Sequence, residues 1–389
     1  MLSRKTQIYT VMIEMKNMNS DTEIIEYYAE SRNLKFETKR NYAIYLRHYT
    51  EYFEMSLKEL LDEAETEEEN GVRWKHRTLK KRLIEYRIHL YNNFAPSTAK
   101  SRFTKIKAFY RHFDIEIHPL PKFNTKNLDK VAPTKFTDLP DKEIIRAAVD
   151  IATPVQKCLI LFMTSSGCGR AETLNLTVSD YIRATENYHQ GGTITEIIES
   201  IDKNKNVVPT FDILRVKTNK YYTTFCSPEA VKMINNYLLT RNNLTLKDPL
   251  FKINESYFIE AFEQINNKLG LGKVGYYIRF RSHMLRKYHA STLMNDGMSK
   301  DLVNTLQGKS QTLTDQSYFF TDTDELKTEY IKHLPALMIS KKIEKITVKS
   351  REFMELENRN NDLQKRMDSL TERLDRFENI TWEDAMKEY

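Results

Sequence analysis

The 389-residue sequence predicts a mainly α protein with one small β hairpin or sheet, and three observations carry that reading. Apolar and aromatic residues recur at helical spacing in segment after segment. One segment, 209–226, changes to β-branched and aromatic runs around a short polar turn. The last part, 345–377, repeats its apolar residues in heptads. Together they predict a helical domain over 1–120, a linker over 121–135, a second domain over 136–340 and a coiled-coil tail over 345–378.

The first domain opens on Ser20-Asp21-Thr22-Glu23, a capping box with Ser20 as N-cap and Glu23 three residues on. A helix from near Thr38 carries Tyr42, Tyr45, Leu46 and Tyr49 on one face. His76–Asn93 reads as the next, and Pro96 starts a fourth with Ile106, Phe109, Tyr110 and Phe113 aligned. Pro119 and Pro121 end the pattern, and the polar stretch that follows has no hydrophobic period, so it reads as a linker. Helices are then expected at 141–151 and 154–165. Phe211, Ile213, Leu214 and Val216 precede Thr218-Asn219-Lys220 and then Tyr221–Phe225, which is the hairpin. Helices resume at 228–239, 257–269, 282–295 and 299–306. In the tail, Phe353, Asn360, Met367 and Leu374 take the a positions, and Leu356, Leu363, Leu370 and Phe377 the d positions. The single Asn at a favours a parallel dimer.

Composition narrows the class. Forty per cent hydrophobic and 29% charged residues fit a globular protein. The apolar run around Cys158–Met163 is far shorter than the roughly 18 residues of a membrane span. Charged residues break up Met1–Met18, so no signal peptide is read there, and a cytoplasmic, DNA-associated protein is expected. Cys158, Cys168 and Cys226 are too scattered for a disulfide framework or a zinc site and read as buried apolar residues. The net charge of +6 is unevenly placed. Between Glu54 and Asn70 stand eight acids and one lysine; between Gly71 and Lys135 stand sixteen Lys and Arg against four acids, with aromatics interleaved. That basic stretch suits a phosphate backbone, or equally a set of amphipathic helices with solvated basic faces.

The residues that carry chemistry lie between Arg170 and Tyr318. Gly167-Cys168-Gly169-Arg170 leads into a helix start, and the hairpin follows with Lys217 and, three residues on, Lys220. His283-Met284-Leu285-Arg286 is an H-x-x-R on a helix, which puts His283 and Arg286 one turn apart on one face. Leu306-Gln307-Gly308-Lys309 comes next, and Tyr318 stands nine residues after Lys309. This order of Arg, hairpin Lys, His-x-x-Arg and Tyr resembles the tyrosine recombinase family of phage integrases and Xer recombinases. The resemblance covers roughly 136–333, and the helical N-terminal part is similar in kind to that family's core-binding domain. The chain departs in two places. Lys309 stands where the family usually has His or Trp, and Glu172 follows Arg170 by two residues where three is commoner.

The resemblance implies a metal-independent, cofactor-free strand transferase working through a 3′-phosphotyrosine. Arg170 and Arg286 would hold the non-bridging oxygens bidentately and stabilise the pentacoordinate transition state. Tyr318 would be the nucleophile and His283 would take its proton or shape the phosphate site. Lys217, with Lys220 as its rival, would protonate the leaving 5′-oxygen, and Lys309 would support the tyrosine or a phosphate oxygen. The partners implied are double-stranded DNA, enclosed by a two-domain clamp, and further copies of the chain. Those copies form a tetramer on paired sites, with 324–338 as a helix that docks on a neighbour and the coiled coil as a dimer contact. Two rivals share these residues: a type IB topoisomerase and a catalytically silent DNA-binding protein.

Overall fold

The computed structural model describes residues 20–124, 135–309 and 322–340, together with Leu363, Arg366, Met367, Leu370 and Thr371. Tyr318, the linker residues 125–134 and most heptad positions of the tail lie outside the described residues. Leu363, Met367 and Leu370 are helical and exposed. Backbone contacts divide the chain into two units at about residue 130.

In the first unit, five helices follow one another: α1 (Asp21–Ser31), α2 (Phe36–Phe53), α3 (Leu57–Glu69), α4 (Thr78–Asn93) and α5 (Pro96–His112). The capping box at Ser20 and Glu23 forms as expected, and a second, Ser56 with Glu59, opens α3. The acidic charge run of 54–70 forms helix α3, which its sequence pattern does not indicate. Its core side, Leu57, Leu60, Leu61 and Ala64, is buried. Four tyrosines, Tyr28, Tyr49, Tyr86 and Tyr110, fill the centre, and each phenol that enters needs a partner. Tyr49 and Tyr110 share a hydrogen bond of 3.2 Å, and Tyr86 Oη lies 2.8 Å from His48 Nδ1.

The second unit begins with α6 (Lys142–Ile151) and α7 (Pro154–Ser166). Helix α7 is buried almost along its whole length from Cys158 to Ser166, so it is the central element. Short helices α8 (Arg170–Asn175), α9 (Val178–Ala184) and α10 (Ile194–Asp202) lead to the hairpin of β1 (Thr210–Arg215) and β2 (Lys220–Phe225). The two strands are antiparallel, with Arg215 opposite Lys220. The turn is therefore Val216–Asn219, earlier than the sequence indicates, and Asn219 closes it with φ of 54°. Asparagine tolerates that left-handed conformation better than most side chains. After α11 (Pro228–Leu239) and α12 (Glu255–Lys268) comes a second two-stranded pair, β3 (Lys273–Val274) and β4 (Tyr277–Ile278). Then follow α13 (Ser282–Asn295), α14 (Lys300–Leu306) and α15 (Thr323–Leu337). The architecture is mainly α with small antiparallel β elements, as the periodicity indicates. No helix among the described residues is long and apolar enough to cross a membrane.

Helix α15 covers the segment expected to dock on a neighbour, yet here it packs on its own unit. Leu326, Tyr330, Ile331, Leu334 and Leu337 are buried, and Tyr330 Oη donates to the Ser165 carbonyl at 2.9 Å. Beyond it, Glu229 accepts from the amides of Ile339 at 2.7 Å and Ser340 at 3.0 Å. Cys158, Cys168 and Cys226 are free and buried, as expected.

Candidate active site

The site is built where α7 ends and α13 begins. Helix α7 stops because Gly167 turns left-handed, with φ of +66°. A Cβ there would lie 2.5 Å from His289 Nδ1, so both conformation and space call for glycine. The Gly167 carbonyl, exposed by this turn, accepts from Arg286 Nη1 at 2.5 Å. Arg286 Nη2 donates to the Gln307 carbonyl, also at 2.5 Å. Gln307 replies through its side chain: Nε2 donates to the Arg286 carbonyl at 2.9 Å and approaches His289 Nδ1 at 3.1 Å. The guanidinium is thus held from both sides, which lowers the entropy lost when it meets an anion.

His289 is fully buried, and burial, helped by Arg286 and Lys309, pushes its pKa down to about 3. It is neutral under ordinary conditions and serves as a spacer between Gly167 and Gln307. His283, one turn before Arg286, stands exposed at the mouth of the site. Its pKa lies below the ordinary imidazole value, because neighbouring atoms partly desolvate the ring and Lys287, Arg281, Arg286 and Lys309 repel a proton. Two clefts adjoin here and share His283 and Arg286. One, of about 550 Å³, is lined further by Gly169, Arg170, Phe258, Tyr277 and Arg281. The other, of about 410 Å³, takes in Lys135, Lys287, Gln307 and Lys309. No carboxylate lines either cleft among the described residues.

Of the residues singled out in the sequence, Arg170, His283 and Arg286 share the first cleft, and His283, Arg286 and Lys309 the second. Lys309 sits below its ordinary pKa, through partial burial first and then through Arg286 and Arg215. Lys217 is an exposed residue in the β1–β2 turn and lines neither cleft; Lys220 is the first residue of β2. Arg170 opens α8, and its Nη2 lies 2.6 Å from Glu255 Oε1 on α12. Tyr318 lies outside the described residues.

Arg215 is not among the residues that the sequence motifs single out. Strand β1 alternates buried Phe211 and Ile213 with exposed Asp212 and Leu214, and Arg215 continues the inward phase. Its Nη1 donates to the Gly308 carbonyl, and its Nε is 4.0 Å from Glu172 Oε1. An arginine in phase with core residues on a strand was the signal available. Gly308 itself has φ of +56°, and a Cβ there would meet the Tyr222 ring at 2.5 Å, so the hairpin packs directly under this turn. Tyr222 then reaches Cys168, with Oη 3.6 Å from Sγ, and ties the hairpin to the loop before Arg170.

Residues 141–324 match the phage integrase family. No curated protein matches the chain. Among solved structures, XerH site-specific recombinase bound to difH substrate in a pre-cleavage complex is similar at a TM-score of 0.47 and 16% identity, over 84% of this chain and 88% of that one. The Tn1549 transposon integrase in complex with transposon right end DNA is similar at 0.46 and 12% identity, over 81% of this chain and 99% of that one. XerA recombinase is similar at 0.34 and 14% identity, over 80% of this chain and 97% of that one. The sequence match, on a mainly helical unit whose His283 and Arg286 meet Lys309 in a cation-lined site, identifies 141–324 as a phage integrase family domain, that of the tyrosine recombinases.

Proposed function

We propose that this protein is a site-specific DNA recombinase that cleaves and rejoins strands through a 3′-phosphotyrosine bond to Tyr318. The observation that carries the proposal is the pair of clefts around His283 and Arg286, lined by cations without a carboxylate. Such a place favours a dianionic, five-coordinate phosphorus over any neutral ligand.

In this reading Arg286, already fixed by two carbonyls, holds the non-bridging oxygens of the scissile phosphate together with a second guanidinium. His283 takes the proton of the Tyr318 phenol as that oxygen attacks phosphorus, and its lowered pKa keeps the ring neutral and ready to accept. The bond from phosphorus to the 5′-oxygen breaks, and Lys217, from the hairpin turn, gives that oxygen its proton. Lys309 supports the phosphate or the tyrosine. One phosphodiester is exchanged for another, so the energy of the bond is kept and a 5′-hydroxyl reverses the step. Positive side chains supply the charge stabilisation, with no cofactor. Residues 1–120 serve as a DNA-binding domain, and 136–340 as the catalytic domain. The working assembly is a tetramer on two paired duplexes, in the DNA-containing compartment, with the tail as a coiled-coil contact.

The DNA that flanks the gene is first sequenced for short repeats, and the test uses a nicked duplex built from them. Wild type should be trapped on it as a covalent adduct that survives denaturation, and Tyr318→Phe should bind it and form none. An adduct with Tyr318→Phe assigns the nucleophile elsewhere, and no adduct with wild type removes the enzyme reading. Strand exchange between two duplexes, rather than relaxation of a supercoiled circle by single protomers, separates a recombinase from a topoisomerase.

A further inference from the structure

We propose that Arg215 on the hairpin, rather than Arg170, is the second guanidinium that holds the scissile phosphate beside Arg286. The inference rests on the recombinase reading above and names a catalytic residue for it.

The geometry begins at one turn. The carbonyls of Gln307 and Gly308 are consecutive, and each takes a guanidinium: Gln307 that of Arg286, Gly308 that of Arg215. Adjacent peptide carbonyls are only a few ångströms apart, so the two arginines are anchored on one piece of backbone. Lys309 is the next residue, and its pKa is lowered by burial first and then by Arg286 and Arg215. An arginine has five N–H donors; the recorded contacts use one on Arg215 and two on Arg286, which leaves donors on both for an anion. Three like charges on one turn are costly by themselves and relax when an anion arrives. Glu172, 4.0 Å from Arg215 Nε, orients that side chain from the strand side.

Arg170 is in a different situation. Its guanidinium is 2.6 Å from Glu255, and its side chain is 42% exposed against 17% for Arg215. Both arginines have a carboxylate neighbour, but Glu255 at 2.6 Å offsets the field of Arg170, and repels a phosphate there, more than Glu172 at 4.0 Å does for Arg215. Arg170 therefore serves as a rim contact to the DNA backbone. The hairpin gives the arrangement a further use. Arg215 and Lys217 stand two residues apart, so one β element carries a phosphate clamp and the proposed general acid, and both take position together when the turn seats.

The experiment measures adduct formation on two versions of the nicked duplex from the flanking repeats. One has a normal scissile phosphate; the other has a methylphosphonate there, which lacks the non-bridging charge. On the phosphodiester, Arg215→Ala should slow adduct formation about 100-fold, and Arg170→Ala less than about tenfold. On the methylphosphonate, Arg215→Ala should come within about fivefold of wild type, because the charge it offset is gone. A merely structural arginine gives no such rescue. Arg215→Lys keeps the charge for packing and loses the fork; it should be about tenfold slow on the phosphodiester and level with wild type on the methylphosphonate. The proposal is overturned if Arg170→Ala collapses while Arg215→Ala stays within tenfold, or if both Arg215 variants are equally slow on the two substrates. Absence of an adduct with wild type removes the recombinase reading itself, and this assignment with it.

Discussion

The two units spend their arginines differently. In the first unit the acidic helix α3 lies against the basic stretch and consumes part of its charge. Arg77 pairs with Glu68 at 3.0 Å, and Arg82 with Glu63 at 2.9 Å. Glu67 accepts from the Thr78 amide and hydroxyl, which opens α4. Other cations lie over rings, Arg102 over Phe94 at 3.9 Å and Lys105 over Tyr45 at 5.1 Å. In the second unit carbonyls hold Arg286 and Arg215, Glu172 stands 4.0 Å from Arg215, and among the described residues no carboxylate lines the clefts at Arg286 and Lys309. A count of fifteen cations in 71–130 therefore overstates the first unit's field.

Breaking the two kinds of arginine should give different phenotypes. Arg286→Ala should slow adduct formation by about 10³-fold, as loss of a preorganised donor does. Arg77→Ala should instead lower stability by about 2 kcal/mol, since Arg77 is buried and its loss leaves Glu68 with the Glu116 amide but no cation. Adduct assays beside urea midpoints separate the two, and a Arg77→Ala protein that is stable but inactive would erase the contrast.

His289 sharpens it through pH. Its folded pKa of about 3 lies far below the ordinary value near 6.5, so the unfolded chain binds the extra proton between these limits. Its contribution is present in full above about pH 6.5 and is lost as the pH falls toward 3, by on the order of 4 kcal/mol at most. His289→Gln should start less stable at pH 8, and its urea midpoint should fall less on acidification. A parallel fall in both proteins assigns the acid sensitivity elsewhere.

Lys309 should give a smaller effect. Lys309→Ala should slow adduct formation about tenfold and Lys309→His less, because an imidazole still donates to phosphate. Full activity in Lys309→Ala would take that residue out of the site. The smallest effect belongs to the first unit. Exposed Lys100 should lower the salt dependence of binding to duplex DNA by about one unit of slope when changed to Ala, and paired Arg82 should leave it nearly unchanged. Equal slopes for the two variants would mean that internal pairing does not decide which cations meet phosphate.

Much of this was legible from the sequence because it is local. Capping boxes, proline at helix starts and the 3.6-residue period define α1, α5, α7 and α11 from their own residues, and the spacing of His283 and Arg286 puts them on one helix face whatever surrounds them. Helix α3 went unread because its acids hid a narrow apolar stripe, Leu57, Leu60, Leu61 and Ala64, that has meaning only against its neighbours. The burial of α15 in its own unit, the Gly167–His289 contact and the hold of Gln307 on Arg286 depend on residues far apart in the chain. So does the fate of each arginine. Sequence alone determined that Arg170, Arg215 and Arg286 carry positive charge. Only the tertiary structure decided that Arg170 meets Glu255 while Arg215 and Arg286 meet two adjacent carbonyls. Charge is fixed by the side chain, but the field it presents is fixed by the partners that folding brings within a few ångströms.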